Sequence, residues 1–336
     1  AVFDVWGGRV DVWRSRGEVG WVGLDPAPLF RGEVPGGAKE VRPYGDPSDL
    51  LYRHAPFEAT VRVLREPGLL PGETRVEFPS PSPSGVPEND RVYGYLYEPA
   101  GASDDAIVLL PIWKGPSLDL ETSVARILAA MGHRVFVMPL AYQFERAPAG
   151  RSGDLTISSD LARNRSSMNQ SAQDAQRAAW WLVHERGVRA DRVAVMGISM
   201  GGHVAALAYG ASETFCAGIF VIAGGRVADT LWNGSETQGI RRRLAADGLN
   251  LCDLRGLSRD YDPLTYASPS RGRGVYMVGG RFDDVVLPSS VLALAEGYGG
   301  VDVDWLPSGH YTAWIGFPSI LARIDEHLDG LEEAGR

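Results

Sequence analysis

Val193-Ala194-Val195-Met196-Gly197-Ile198-Ser199-Met200-Gly201-Gly202-His203-Val204 decides how the rest of the chain is read. An apolar, strand-forming run enters a Gly-x-Ser-x-Gly turn, and the helix-forming Ala205, Ala206, Leu207 and Ala208 leave it. The pattern predicts strand, sharp turn, helix. A serine at the tip of such a turn occupies a strained backbone conformation that only small neighbours permit, which accounts for Gly197, Gly201 and Gly202. The turn lifts the hydroxyl clear of the sheet. The helix that follows aims its free N–H groups and the positive end of its dipole at the same point, where an oxyanion would be stabilised. Ser199 is therefore the candidate nucleophile.

Working outward, the surrounding segments alternate in type. Thr74 to Phe78 and Arg91 to Tyr97 are short β-rich runs separated by a Pro/Ser/Gly/Asn loop, the signature of an antiparallel pair. Ala106 to Leu110 is apolar on both faces, as a central parallel strand should be. Val124, Ile127, Leu128 and Met131 follow at helical spacing and Gly132 closes that helix. Arg134 to Met138 is the next strand. A long loop is expected from Pro139 to about Met168, and then a helix from Gln170 to Arg186 that leads into the Ser199 turn. Gly218 to Ala223, Gly274 to Val278 and Val301 to Leu306 read as further strands, and Ile320, Ile324 and Leu328 mark a closing amphipathic helix. Residues 1 to 70 show no sustained period. They are read as an extension with some helix near Pro47 to Leu64, its Phe3, Val5, Trp6, Val10, Val12 and Trp13 packed on the main domain.

Composition narrows the function classes. The 336 residues suffice for one large core plus an appendage, and 44% hydrophobic with 22% charged residues is ordinary for a soluble globular protein. A formal charge of −9 argues against nucleic acid or an anionic membrane as partner, and Arg241-Arg242-Arg243 is too short a run to change that. No apolar run approaches the ~18 residues of a membrane span. Two scattered cysteines, Cys216 and Cys252, give neither a disulfide scaffold nor metal-ligand spacing. No metal and no cofactor is expected. A cytoplasmic location is expected, although a chain beginning at Ala1 leaves a processed N-terminus, and so secretion, open.

Gly197-Ile198-Ser199-Met200-Gly201-Gly202-His203 resembles the nucleophile elbow of the α/β-hydrolase superfamily, in particular its esterase and dienelactone-hydrolase-like branches, and the resemblance extends from about Thr74 to the C-terminus. It implies a mostly parallel sheet flanked by helices, a catalytic domain over 71–336 behind the extension at 1–70, and acyl-type hydrolysis by residues in the order Ser, acid, His. It also implies that the excess of the roughly fifty residues at 224–273 over a bare crossover is a lid, with Val227, Leu231, Trp232, Ile240, Leu244, Leu249 and Leu251 as its apolar underside. Such a lid favours an acyl or aromatic substrate over a strongly charged one.

A serine hydroxyl needs an imidazole to take its proton and a carboxylate to hold the imidazole's tautomer. Of six histidines, His54 lies in the extension, His133, His184 and His327 sit at helix ends or surfaces, and His203 lies on the elbow helix too close in sequence to reach Ser199. His310, on the loop after a C-terminal strand, remains. Adjacent residues at a strand end point oppositely, so Asp283 and Asp284 cannot both face it. The resemblance favours Asp283, since Gly280, Asp283 and Val286 match a Gly-x-x-Asp-x-x-Val spacing, with Asp229 as the fallback. Met200 supplies one oxyanion N–H. The family position for the second is Trp113, although Pro111-Ile112-Trp113-Lys114-Gly115 departs from the His-Gly common there. Lys114 is read as solvent-facing. The expected activity is serine carboxylic-ester hydrolysis of a small-molecule substrate, with oligomeric state open. A peptidase or acyltransferase using the same residues, and a non-catalytic binding protein of this fold, are the alternatives.

Overall fold

The structure, a computed structural model, describes the backbone of residues 3–6, 9–12 and 57–335 and the side chains of 57–331. Strands β1 (Phe3–Trp6) and β2 (Arg9–Val12) form an antiparallel pair. The side-chain packing expected of residues 1–56 lies outside the described residues.

The main sheet is built from β3 (Thr60–Arg65), β4 (Gly72–Pro79), then, after the short helix α1 (Pro87–Asp90), β5 (Arg91–Glu98) and β6 (Ala106–Leu110). Helix α2 (Asp119–Met131), strand β7 (Val135–Val137), helix α3 (Leu161–Arg186), strand β8 (Val193–Ile198), helix α4 (Met200–Ala211) and strand β9 (Ala217–Val221) follow. Among the described residues nine strands form one sheet in the order β11-β10-β9-β8-β6-β7-β5-β4-β3, completed by β10 (Val275–Gly280) and β11 (Val303–Leu306). The run from β11 to β7 is parallel, and β5, β4 and β3 are added antiparallel.

The residue patterns explain the placement. Strands β6, β8 and β9 are buried at every position, as central parallel strands covered on both faces must be, whereas β4 alternates buried and half-buried residues. Helices α3 and α4 bury Met168, Ala175, Leu182 and Val204 to Tyr209 on one face of the sheet. Helix α2 and the last helix bury Val124, Leu128, Ile320 and Ile324 on the other.

Two elements differ from the expectation. Residues 60–64, expected as part of a helix, lie instead in the edge strand β3, paired from Thr60 opposite Glu77 to Val63 opposite Thr74. Their alternating β-branched residues fit a strand next to a ready partner better than a helix. Residues 47–56 of that expectation lie outside the described residues. Helix α3 begins at Leu161 rather than Gln170, with Asp160 accepting from the Arg163 N–H as its cap. The polar run Leu161 to Asn169 reads as loop by composition, but Asn164, Ser167 and Met168 are buried and tertiary packing holds them helical.

Between β9 and β10 the chain forms α5 (Val227–Asn233), α6 (Gln238–Ala246) and α7 (Leu251–Leu257) with several 3₁₀ turns. Val227, Leu231, Leu244 and Leu254 are buried beneath them. Helix α8 (Pro288–Gly297) links β10 to β11, and α9 (Phe317–Gly335) closes the chain. No helix among the described residues is long and apolar enough to cross a membrane.

Candidate active site

The loops at the C-terminal ends of β6, β8, β10 and β11 converge on Ser199. This residue sits between β8 and α4 at φ 54° and ψ −116°, a conformation that costs a non-glycine residue about 1–3 kcal/mol and persists only where its surroundings dictate it. Two glycines make the turn possible. A Cβ at Gly197 would lie 2.1 Å from the Gly201 carbonyl oxygen, and one at Gly201 would lie 2.2 Å from that of Leu110. The elbow therefore closes on itself and on the end of β6.

The Ser199 hydroxyl lies 2.9 Å from His310 Nε2 and donates to it when His310 carries its proton on Nδ1. His310 Nδ1 in turn donates to Asp283 Oδ2 at 2.8 Å. The other Asp283 oxygen, Oδ1, accepts the backbone N–H groups of Val285 and Val286 at 2.9 and 2.8 Å, so the carboxylate is fixed at both ends. Asp283 is buried and Asp284 exposed, its backbone carbonyl taken by the Ser235 N–H. Asp229 is held in a two-pronged pair by Arg255, at 2.6 and 3.0 Å.

The other described histidines are occupied elsewhere. His203 is buried behind the elbow, its Nδ1 donating to the Ser199 carbonyl at 3.0 Å, and burial pushes its pKa down to about 4, so the ring is neutral. His184 stacks on Trp180. His133, expected as a solvated or capping residue, is instead buried between Asp105 and Asp325, because the end of α2 lies under α9.

The loop after β6 carries Trp113 to the pocket beside Ser199 and Met200. Both backbone groups of its neighbour Ile112 are engaged by buried side chains: the N–H donates to Glu121 Oε1 at 3.0 Å, and the carbonyl accepts from Gln143 Nε2 at 2.8 Å. The Trp113 indole donates to the Gly153 carbonyl at 2.8 Å. Lys114 is exposed and pairs with Asp154. Burial pushes the Glu121 carboxyl up to about 7. Gln143 belongs to the segment between β7 and α3, which is tied down by the ion pair of Arg146 and Asp174, 2.6 Å apart and both fully buried.

Next to Ser199 lies a pocket that opens to solvent. Ile157, Met168, Val227, Leu231, Val285 and Val286 give its aliphatic wall, and Thr230, Thr237 and Glu236 stand among them. The structure brings together Ser199, His310 and Asp283, the residues expected from the sequence, beside a pocket that Val227 and Leu231 of α5 also line. No motif in the sequence marks Glu121, Gln143 or Glu236, which lie in an amphipathic helix, an aperiodic loop and a 3₁₀ turn. Among the described residues no His, Cys, Asp and Glu side chains cluster in a way that would hold a metal ion.

Residues 92–231 match the dienelactone hydrolase family. No curated protein matches the chain. Among solved structures, the acetyl xylan esterase from Paenibacillus sp. R4 superposes with a TM-score of 0.61 at 18% identity, covering 83% of this chain and 91% of that one. Acetyl xylan esterase 1 from Thermoanaerobacterium sp. JW/SL YS485 gives 0.61 at 16% identity, covering 84% and 91%. The acylaminoacyl peptidase of Pyrococcus horikoshii gives 0.56 at 16%, covering 78% of this chain and 41% of its own length. At these identities the likeness is one of fold, that of the α/β hydrolases.

Proposed function

We propose that this α/β hydrolase cleaves carboxylic esters through Ser199, His310 and Asp283. The observation that carries the reading is the unbroken path of hydrogen bonds from the strained serine hydroxyl through His310 to a carboxylate whose second oxygen is already committed to the backbone. In the first half-reaction the Ser199 oxygen attacks the ester carbonyl while His310 Nε2 takes its proton. The negative oxygen that forms is met by the N–H groups of Met200 and Trp113, the first at the N-terminus of α4. The C–O bond of the ester then breaks, and His310 returns the proton to the departing alcohol, leaving an acyl group on Ser199. Water repeats the sequence and releases the acid. Asp283 holds His310 in the tautomer that accepts at Nε2 and stabilises the imidazolium.

The helices at 224–273 act in this reading as the pocket's cover, supported by Val227 and Leu231 in its wall. The free thiols Cys216 and Cys252 support a reducing, cytoplasmic setting. The test is paired. A short-chain nitrophenyl ester should be hydrolysed, and a fluorophosphonate should abolish that turnover while modifying one peptide, the one containing Ser199. Modification of a different serine, or none with activity intact, overturns the assignment.

A further inference from the structure

The pocket that receives the substrate contains one acidic side chain among the described residues that line it, Glu236. The wall around it is mostly apolar, with Thr230 and Thr237 as its uncharged polar neighbours, and the one other titratable ring in the wall, His203, is neutral. Glu236 is half-buried in the turn between α5 and α6, and the Tyr311 hydroxyl donates to its Oε1 at 2.5 Å. Tyr311 directly follows His310 and packs edge-on against its ring, with centroids 5.5 Å apart. The carboxylate is thus held at a fixed place in a mostly apolar wall, tied through Tyr311 to the loop that carries His310.

We propose that Glu236 is a specificity-determining residue that selects esters whose pocket-bound end carries a positively charged or hydrogen-bond-donating group, and excludes those ending in a carboxylate. This rests on the ester-hydrolase reading above. A carboxylate accepts hydrogen bonds and offers none, so an ammonium or hydroxyl entering the pocket gains a partner. A second carboxylate would lose its hydration and face a like charge in a wall that screens it poorly. Discrimination by charge is what a mostly aliphatic pocket otherwise lacks, because its contacts with methylene groups distinguish substrates only weakly.

The experiment uses the intact enzyme and matched nitrophenyl esters of five- and six-carbon acids ending in methyl, hydroxyl, ammonium or carboxylate. For the wild type, kcat/KM for the ammonium ester should exceed that for the carboxylate ester by at least about tenfold. Glu236→Gln keeps the shape and an oxygen for the Tyr311 hydroxyl but removes the charge, and it should shrink that ratio by about tenfold. Because the readout is a ratio, any general loss of activity in the variant cancels. The hydroxyl-terminated ester separates the two kinds of donor: a preference for it that survives in Glu236→Gln marks hydrogen bonding, and one that vanishes marks charge, either being in accord with the proposal when the ammonium-to-carboxylate ratio also falls. An unchanged ratio, with the methyl ester still hydrolysed, overturns the proposal and leaves the ester-hydrolase reading standing. Failure to hydrolyse any of the esters overturns both.

Discussion

Gln143 Nε2 donates to the carbonyl oxygen of Ile112 at 2.8 Å, and this bond fixes a peptide unit whose other end is the Trp113 N–H. In a trans peptide the C=O and N–H point in opposite directions, so holding the carbonyl aims the amide. Glu121 holds the N–H of Ile112, which belongs to the preceding peptide unit, so the backbone is anchored on both sides of the Ile112 Cα.

If the Trp113 N–H serves the oxyanion, Gln143→Ala should lower kcat by about ten- to a hundredfold, the cost of misplacing a group by a fraction of an ångström, with a much smaller change in KM. Steady-state kinetics with a short nitrophenyl ester, beside a thermal melt, separates this from unfolding. No loss in kcat in a variant that keeps its Tm would remove Trp113 from the oxyanion hole.

Ser199→Ala should reduce kcat by about 10⁴ or more, since the oxyanion donors and binding alone supply only the residual catalysis. The substitution also replaces a residue at positive φ by one no better suited to it, so stability should change little. A variant retaining a tenth of the activity would place the nucleophile elsewhere.

Asp283 and Asp284 differ in what they touch, and the two amide substitutions should differ accordingly. Asp283→Asn disturbs the partner of His310 and should cost about 10³ to 10⁴ in kcat. Asp284→Asn alters an exposed side chain whose backbone carbonyl, not its carboxylate, meets Ser235, and should cost less than about tenfold. The reverse ranking would move the acid one residue along.

What could be read in the sequence follows a physical divide. The central strands announce themselves because burial on both faces demands unbroken apolar runs such as Ala106 to Leu110, and Ser199 does so because its backbone demands glycines at fixed offsets. The start of α3 is hidden because Asn164 and Ser167 are polar residues that only the folded packing buries. His133 was misread for the same reason: nothing within reach along the chain tells that Asp325, 192 residues away, closes over it. Glu121, Gln143 and Glu236 act through single hydrogen bonds or a position on a pocket wall, and neither leaves a pattern in local sequence.

His133 provides the last test, because its geometry couples stability to pH at a distance from Ser199. Its Nδ1 meets Asp105 at 2.5 Å and its Nε2 meets Asp325 at 2.9 Å, tying the end of α2 to α9 and to the residue before β6. Burial alone would lower its pKa, but the two carboxylates, Asp105 first, outweigh that and hold it above the ordinary value. Burial likewise pushes Asp105 up, and the bond from His133 with its charge more than reverses this, leaving Asp105 below its ordinary value. A raised histidine contributes stability that is complete below the unfolded pKa of about 6.5 and is lost as pH rises through the folded value. A lowered aspartate contributes stability that is complete above about 3.9 and is lost as pH falls through its folded value. The cluster is therefore strongest between about pH 4 and 6.5, and weakens on either side. Denaturant unfolding of the wild type and His133→Gln at pH 6 and pH 9 should show a larger gap between the two proteins at pH 6. A gap that is the same at both pH values would mean that His133 is neutral in the folded protein and that α9 is held by packing alone.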